Sequence, residues 1–378
     1  MHKTRWIIAA LAIVGTTARA GAEAPGGDAA KAPTKTKNVI LVMSDGLRWQ
    51  EVFRGAEPSL ISKKDGGVSD VEGVRRAYDR DTPEARREAL LPFISNVVAK
   101  QGRLFGDVGS ESKVTNGMNF SYPGYNEVFT GFGDPRIDSN DPLPNPNVTV
   151  FEWLNGKHAF RDKVAAFGSW DCFPAILNRD RSKMKIVACW EPPTGADLTP
   201  QEKLLGDVIA NTHRLWEGCG YDSFTFFAAH EHLKRARPRV MFIGFGETDE
   251  FAHAGKYADY LNSAHKFDQY VKTLWETLQS LPEYRDQTTL ILTADHGRGD
   301  APVEWRSHGA KIKGAERIWI GVLGPDTPPA DGKPLPNADQ NQIAATIAAL
   351  LGEDYNAYQP RAGAVIPTVV APAVLTAE

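Results

Sequence analysis

Cysteine is scarce in this chain, with only Cys172, Cys189 and Cys219 among 378 residues. None falls in a C-x-x-C pattern, which argues against a thiolate zinc site. The odd count leaves two readings open: one disulfide beside a free thiol after export, or three buried apolar thiols. A surplus of basic charge is also missing. The net charge is −4, so there is no electrostatic footprint for duplex nucleic acid. Beyond the N-terminus no apolar run is long enough to span a bilayer. Internal repeats and coiled-coil heptads are absent too. What is present is a balanced composition over a length that suffices for one large buried core or two smaller ones.

The N-terminus reads as an export signal over residues 1–22. His2, Lys3 and Arg5 form a basic start, and Trp6 to Val14 is apolar but too short to cross a membrane. Ala18-Arg-Ala20 and Ala20-Gly-Ala22 offer small-residue cleavage sites. Residues 23–36, rich in Ala, Gly, Pro and Lys, read as a flexible leader. The expected mature protein is exported, periplasmic or secreted, with no membrane span, and its body covers residues 37–378.

Asn38 to Met43 (NVILVM) is a short apolar, β-branched run, as expected of a strand buried on both faces of a parallel sheet. Val164–Gly168, Lys185–Ala188, Arg239–Gly244, Thr289–Thr293 and Arg317–Leu323 repeat the pattern. Between them, Tyr257, Leu261, Ala264, Phe267, Val271, Leu274 and Leu278 recur at helical spacing. Leu90–Val98 and Gln340–Leu351 are weaker helical segments. Alternation of this kind predicts an α/β fold, a three-layer α/β/α sandwich around a mostly parallel sheet. Residues 54–89 and 132–235 interrupt the pattern. The second stretch, within which 132–160 and 170–235 are rich in Pro, Asn and aromatics, predicts an aromatic-rich cap over one rim of the sheet.

Polar residues fall just after the strands. Asp45 follows the first, Asp249 the Arg239–Gly244 run, and Asp295 and His296 the Thr289–Thr293 run. Ligands bind at the carboxyl ends of strands in open α/β sheets, so three strands deliver acids and imidazoles to one rim. Asp249 and His253 are four apart, one face of a helical turn. In Asp295-His296-Gly297 the glycine permits a turn that aims both side chains at one place. His308, in Ser307-His-Gly309, completes a set of six ligands suited to a pair of divalent cations. Ser121, in Asn119-Phe-Ser-Tyr-Pro-Gly124, has no histidine nearby in sequence, so a metal is the natural activator of its hydroxyl. A helix starting at Asn126 would place a dipole near a bound oxyanion. Asn119 and Asn147 each begin a glycosylation sequon.

In this order the residues resemble the alkaline phosphatase superfamily, especially its nucleotide pyrophosphatase/phosphodiesterase-like branch, from about Asn38 onward. The resemblance implies two metal ions, usually zinc. Asp249, His253 and His308 would hold one, and Asp45, Asp295 and His296 the other, with Ser121 as nucleophilic ligand. It implies hydrolysis of a small phosphate ester through a phosphoseryl intermediate. The diesterase branch has Thr followed by Phe-Pro-Asn where this chain has Ser121-Tyr-Pro-Gly124. It also has an asparagine about twenty residues later that binds a phosphoryl oxygen, for which Asn140, Asn145 and Asn147 are candidates. Tyr122, with Phe120 and Tyr125, would line an aromatic slot for a diester, whereas Arg48, Arg298 or Arg306 would supply the cation a monoester dianion wants. A sulfatase-like hydrolase, a phosphoglycerate-type phosphomutase and a non-catalytic metal-binding protein are the alternatives. The missing Arg of Cys/Ser-x-Pro-x-Arg argues against sulfatase maturation.

Overall fold

A computed structural model describes residues 34–330 and 334–370. The expected signal at 1–22 and most of the 23–36 leader lie outside the described residues. At the leader's end Thr36 is buried, and the backbone N–H groups of Lys35 and Thr36 donate to the Asp326 carboxylate.

The strands, in chain order, are β1 (Asn38–Ser44), β2 (Arg103–Phe105), β3 (Ser112–Lys113), β4 (Val164–Gly168), β5 (Lys185–Ala188), β6 (Val240–Phe245), β7 (Thr288–Thr293), β8 (Arg317–Ile318) and β9 (Ile320–Leu323). Seven form one sheet in the order β2-β9-β7-β1-β6-β4-β5, while β3 and β8 pair separately. Only β9 runs against the rest of the main sheet. Each apolar run read from the sequence is a strand here. The Arg317–Leu323 run divides at Trp319, whose carbonyl accepts from the Thr293 hydroxyl while its indole N–H donates to Leu47 O. One half then pairs with β3 and the other with β7 and β2.

The sheet is buried on both faces, as its unbroken apolar strands require. In β1, Ile40 and Val42 face one core and Val39, Leu41 and Met43 the other. The first core is covered by the helices Tyr257–Ser280 and Asp222–Ala236, the second by Ser121–Thr130, Val150–Gly156 and Ile343–Leu350. The architecture is therefore the expected three-layer α/β/α sandwich with a mostly parallel sheet. Full burial of each large apolar side chain contributes about 1.5–3 kcal/mol, so the two packed faces carry most of the stability.

Two local expectations change. Leu90–Val98 is not one helix. The helix Pro83–Leu90 stops before Pro92, and a wider π-helical turn, Ile94–Val98, follows. Asp268 accepts from Phe93 N and Ile94 N, the free donors at that turn's start. Gln340–Leu351 begins as a short 3-10 turn, Gln340–Gln342, and continues as the helix Ile343–Leu350.

Glu127, inside the helix Ser121–Thr130, is buried and accepts from Thr115 N, Thr115 Oγ1 and Asn116 N. Burial pushes its carboxyl up to about 6 against the pull of those donors. A carboxyl whose folded pKa exceeds its unfolded value stabilises fully below the unfolded pKa. That contribution is lost as pH rises through the folded pKa. The wild type is therefore expected to lose about 2 kcal/mol between pH 4 and pH 7 that Glu127→Gln does not lose. Urea unfolding of both proteins across that range measures it, and parallel pH slopes would contradict it.

Candidate metal centre and nucleophile

Strands β7, β1 and β6 are neighbours in the sheet, and adjacent strands lie about 4.8 Å apart. Their carboxyl ends therefore bring the loops bearing Asp295 and His296, Asp45, and Asp249 within reach of one another. Gly46, left-handed at φ 59°, turns the chain sharply after Asp45. The helix Glu247–His253 puts Asp249 and His253 on one face, as their spacing predicted. His308 arrives from the loop beyond the 3-10 turn Glu304–Arg306.

Ser121 comes from the opposite layer. The helix that carries it begins at Ser121 itself, not at Asn126 as the sequence suggested. Phe120 is extended at the N-cap, and Asn140 Oδ1 accepts from Tyr122 N at 2.9 Å. Pro123 sits in the first turn, where its missing N–H costs nothing. Gly131, left-handed at φ 81°, ends the helix.

The side chains converge as two groups. Asp45, Asp295 and His296 are all buried, and their ligand atoms lie within 4.8 Å of one another. Asp249, His253 and His308 meet the same limit nearer the surface. His296 Nε2 stands 3.3 Å from Asp45 Oδ1, 3.4 Å from Asp295 Oδ2 and 3.9 Å from Asp249 Oδ1, so it joins the groups. His253 Nε2 and His308 Nε2 are 2.9 Å apart, and Asp249 Oδ2 is 3.1 Å from His253 Nε2. Ser121 Oγ lies 3.4 Å from His296 Nε2. All six expected ligands and the expected nucleophile are thus gathered at one rim.

The chemistry of this donor set fits divalent cations. His296 Nδ1 lies 2.9 Å from Gly297 O, and a carbonyl only accepts, so Nδ1 carries the proton. Nε2 then faces Asp45 Oδ1 and Asp295 Oδ2, neither of which has a hydrogen-bond partner among the described residues. A bound cation would satisfy such buried acceptors. Burial, then the charge of Asp249, pushes Asp45 well above the usual carboxylate range; burial, then Asp45, does the same to Asp295. Asp249 goes the other way. Burial opposes its charge, but Arg298, His253 and His308 hold it well below the usual range. Burial and the neighbouring His296 bring His308 down to about 2, leaving a neutral imidazole suited to a metal.

Several supporting roles escaped the sequence reading, which had Tyr125 only as a slot-lining residue. Tyr125 OH donates to Asp45 Oδ2 at 3.1 Å; its place one helical turn beyond Ser121 is the signal that could have found it. Gly46 N donates to Asp295 Oδ1, Thr248 Oγ1 to Asp45 O, and Gln340 Nε2 to Asp295 O at 2.6 Å. Asp222 accepts from Gly246 N and Glu247 N, fixing the start of the helix that bears Asp249. Nothing in the local sequence marks Gln340 or Asp222.

Other candidates go elsewhere. Asn145 and Asn147 lie in a buried network with Asn126 and Asp134, away from solvent. Burial likewise removes both sequon asparagines, Asn119 and Asn147, from the surface. Tyr122 and Tyr125 are buried, with Tyr122 OH donating to Leu143 O, so they line no open slot. Arg48 is committed to Glu51 and Gly299 O, and Arg306 donates to Asp65 O. All three cysteines are free thiols, Cys172 and Cys219 buried and Cys189 partly so.

Residues 132–317 match the family model for type I phosphodiesterase / nucleotide pyrophosphatase. The match takes in Asp249, His253, Asp295, His296 and His308, while Asp45 and Ser121 precede it. Solved structures align over most of this chain. A putative sulfatase from Bacteroides thetaiotaomicron does so with a TM-score of 0.56 and 14% identity, over 88% of this chain and 74% of that one. Phosphonate monoester hydrolase of Agrobacterium radiobacter gives 0.50 and 14%, over 84% and 74%. The lipoteichoic acid synthase LtaP from Listeria monocytogenes gives 0.51 and 12%, over 85% and 73%. At these identities what is shared is the fold. Among curated proteins no relative matches by sequence.

Tyr125 reaches the candidate ligand groups through its hydrogen bond to Asp45. Tyr125→Phe keeps the ring packed against Phe173 and Phe242 and deletes one hydrogen bond. Zinc affinity is expected to fall roughly 10- to 100-fold, read by competition with a chromophoric chelator, while the metal-free melting temperature changes little. Unaltered affinity would contradict the role assigned to the phenol.

Proposed function

We infer that the protein is a divalent-metal-dependent phosphoric-ester hydrolase with Ser121 as nucleophile. The fold and the family match support the coarser reading, a hydrolase of phosphoric or sulfuric esters. The observation that carries the finer one is the Ser121 hydroxyl. It stands at a helix N-terminus, 3.4 Å from His296 Nε2, where the two ligand groups meet.

Asp45, Asp295 and His296 would hold one ion and Asp249, His253 and His308 the other, with zinc the first expectation. Bound there, such ions supply Lewis-acid charge to the attacking and leaving oxygens. The chain's own groups do the rest. Ser121 Oγ gives its proton to solvent and attacks phosphorus. The bond from phosphorus to the alcohol breaks, the departing alkoxide takes a proton from solvent, and a phosphoseryl group forms. Water then attacks that group, the proton it releases passes to the serine oxygen as the serine–phosphorus bond breaks, and phosphate or a phosphomonoester leaves. The positive end of the helix Ser121–Thr130 favours the anionic group at its start. Asn140 spends its carbonyl on Tyr122 N, and no described residue takes its amide N–H groups. It is therefore the asparagine we assign to a phosphoryl oxygen.

A diester is the favoured substrate class. Of the three arginines flanking the motifs, Arg48 is ion-paired with Glu51 and Arg298 with Asp249, so neither offers a free charge to a second negative charge on the substrate; Arg306 donates to the backbone carbonyl of Asp65. Export is part of the reading and rests on residues 1–22. Among the described residues no helix is long and apolar enough to cross a membrane.

Turnover of bis-p-nitrophenyl phosphate, p-nitrophenyl phosphate and p-nitrophenyl sulfate by one preparation tests the substrate class. The diester is expected to be cleaved fastest; preference for the sulfate would replace this reading with a sulfatase. Ser121→Ala and chelation are each expected to lower diester turnover at least about 1,000-fold. Acid-quenched protein should carry phosphate on Ser121, and full turnover by Ser121→Ala would refute the nucleophile.

A further inference from the structure

The two ligand groups differ in charge and in surroundings. Asp45, Asp295 and His296 bring two carboxylates and one imidazole, all buried. Their outer contacts are neutral: the Tyr125 hydroxyl on Asp45, Gly46 N–H on Asp295, and Gly297 O on His296. A dication there is matched by two negative charges. Asp249, His253 and His308 bring one carboxylate and two imidazoles, and the His253 side chain is 46% exposed.

Arg298 deepens the difference. It is fully buried and paired with Asp249 Oδ1, and it donates to the Asp249 carbonyl at 3.2 Å. Among the described residues its Nε and Nη1 have no hydrogen-bond partner and Asp249 is its one ion-pair partner, while its charge also reaches Asp45. Gly46 makes room for this arrangement. A Cβ at that position would lie 2.8 Å from Arg298 Nε and 2.9 Å from Asp249 Oδ1. The single carboxylate of the outer group is therefore already neutralised, and a dication placed beside it faces a fixed guanidinium with no negative charge left over. In a buried setting that imbalance is costly until an anion joins.

We propose that the two ion positions are unequal. The Asp45/Asp295/His296 position holds its ion tightly. The Asp249/His253/His308 position holds its ion weakly, because Arg298 competes for Asp249, and it fills together with an anionic substrate. Arg298 is thus a positioning residue, acting through Asp249 and making the outer ion conditional on substrate. This inference rests on the two-metal reading above. By linkage, an oxyanion that tightens the second ion is itself tightened by it to the same degree.

The test is stepwise zinc titration of the full chain by competition with a chromophoric chelator, without substrate. Two steps are expected, the second at least roughly tenfold weaker, and orthovanadate should strengthen the second alone. His308→Asn should remove the weak step and leave the strong one. Arg298→Gln should narrow the gap, and Arg298→Lys, which keeps the charge, should preserve it. Equal affinities in the wild type, loss of the strong step in His308→Asn, or a weak step indifferent to vanadate each overturns the proposal. These readings do not require Arg298→Gln to fold; if it folds, an unchanged gap also overturns the proposal. Absence of any zinc binding would instead sink the two-metal reading itself, which separates the two failures.

Discussion

Three carboxylates share one water-poor space at the rim of the sheet. At separations near 4 Å and an effective dielectric of about 20, each like-charged pair costs roughly 4 kcal/mol. Asp45 and Asp295 carry that cost: burial and the charge of Asp249 hold Asp45 well above the usual carboxylate range, and burial and the charge of Asp45 do the same to Asp295. Hydrogen bonds alone do not relieve it, since among the described residues Asp45 Oδ1 and Asp295 Oδ2 have no such partner. The remaining surroundings hold acceptors at fixed distances for a cation. This is electrostatic preorganisation, bought with stability that the two apolar faces of the sheet supply.

The sandwich brings chemistry from both of its outer layers to that rim. Ser121 rides on a helix packed against the second core, and the Asp249 helix packs on the first. Between them stands Tyr125, whose ring meets Phe173 edge-on at 4.9 Å and whose hydroxyl reaches Asp45. Packing and ligand orientation are here the property of one side chain. On the other flank Arg48 and Glu51 form a buried ion pair, with Tyr257 and Tyr260 donating to the same carboxylate. A buried pair of this kind adds little net stability. Its consequence is positional, because Arg48 Nη1 also donates to Gly299 O. The loop after β1 is thereby tied to the loop that carries His296 and Arg298.

The residues of the two candidate ligand groups and the strands of the sheet were legible because each is written locally. Apolar β-branched runs mark strands buried on both faces, and Asp, His and Gly immediately after them mark a rim. Val164–Gly168 and Lys185–Ala188 were readable to the residue for this reason. The start of the nucleophile's helix was not. Pro123 and Gly124 read as a turn, yet Asn140, nineteen residues further on in a surface loop, accepts the N–H that lets a helix begin at Ser121. The Asp-Gly-Leu-Arg48 stretch gave no hint that its arginine faces Glu51 and not the site. Outer contacts such as those from Gln340 and Asp222 depend on tertiary approach, which no local spacing encodes. The assignment of Asn140 over Asn145 and Asn147 likewise needed burial. Three asparagines within eight residues are equivalent in sequence, but two spend their amides on Asn126 and Asp134.

The departure from the diesterase pattern at Gly124 now has a physical reason. A Cβ at this position would lie 2.3 Å from the carbonyl oxygen of Asp295 and 3.0 Å from its carbon, both backbone atoms that cannot swing aside. Asparagine, or even alanine, would push the helix and the Asp295–His296 loop apart. Glycine lets them touch, and the Asp295 carbonyl that the helix covers is taken by Gln340 Nε2. With that carbonyl bonded, the loop is pinned from one side by an amide and from the other by the helix. The hydroxyl of Ser121 therefore sits on a helix whose distance from His296 is set by glycine at 124.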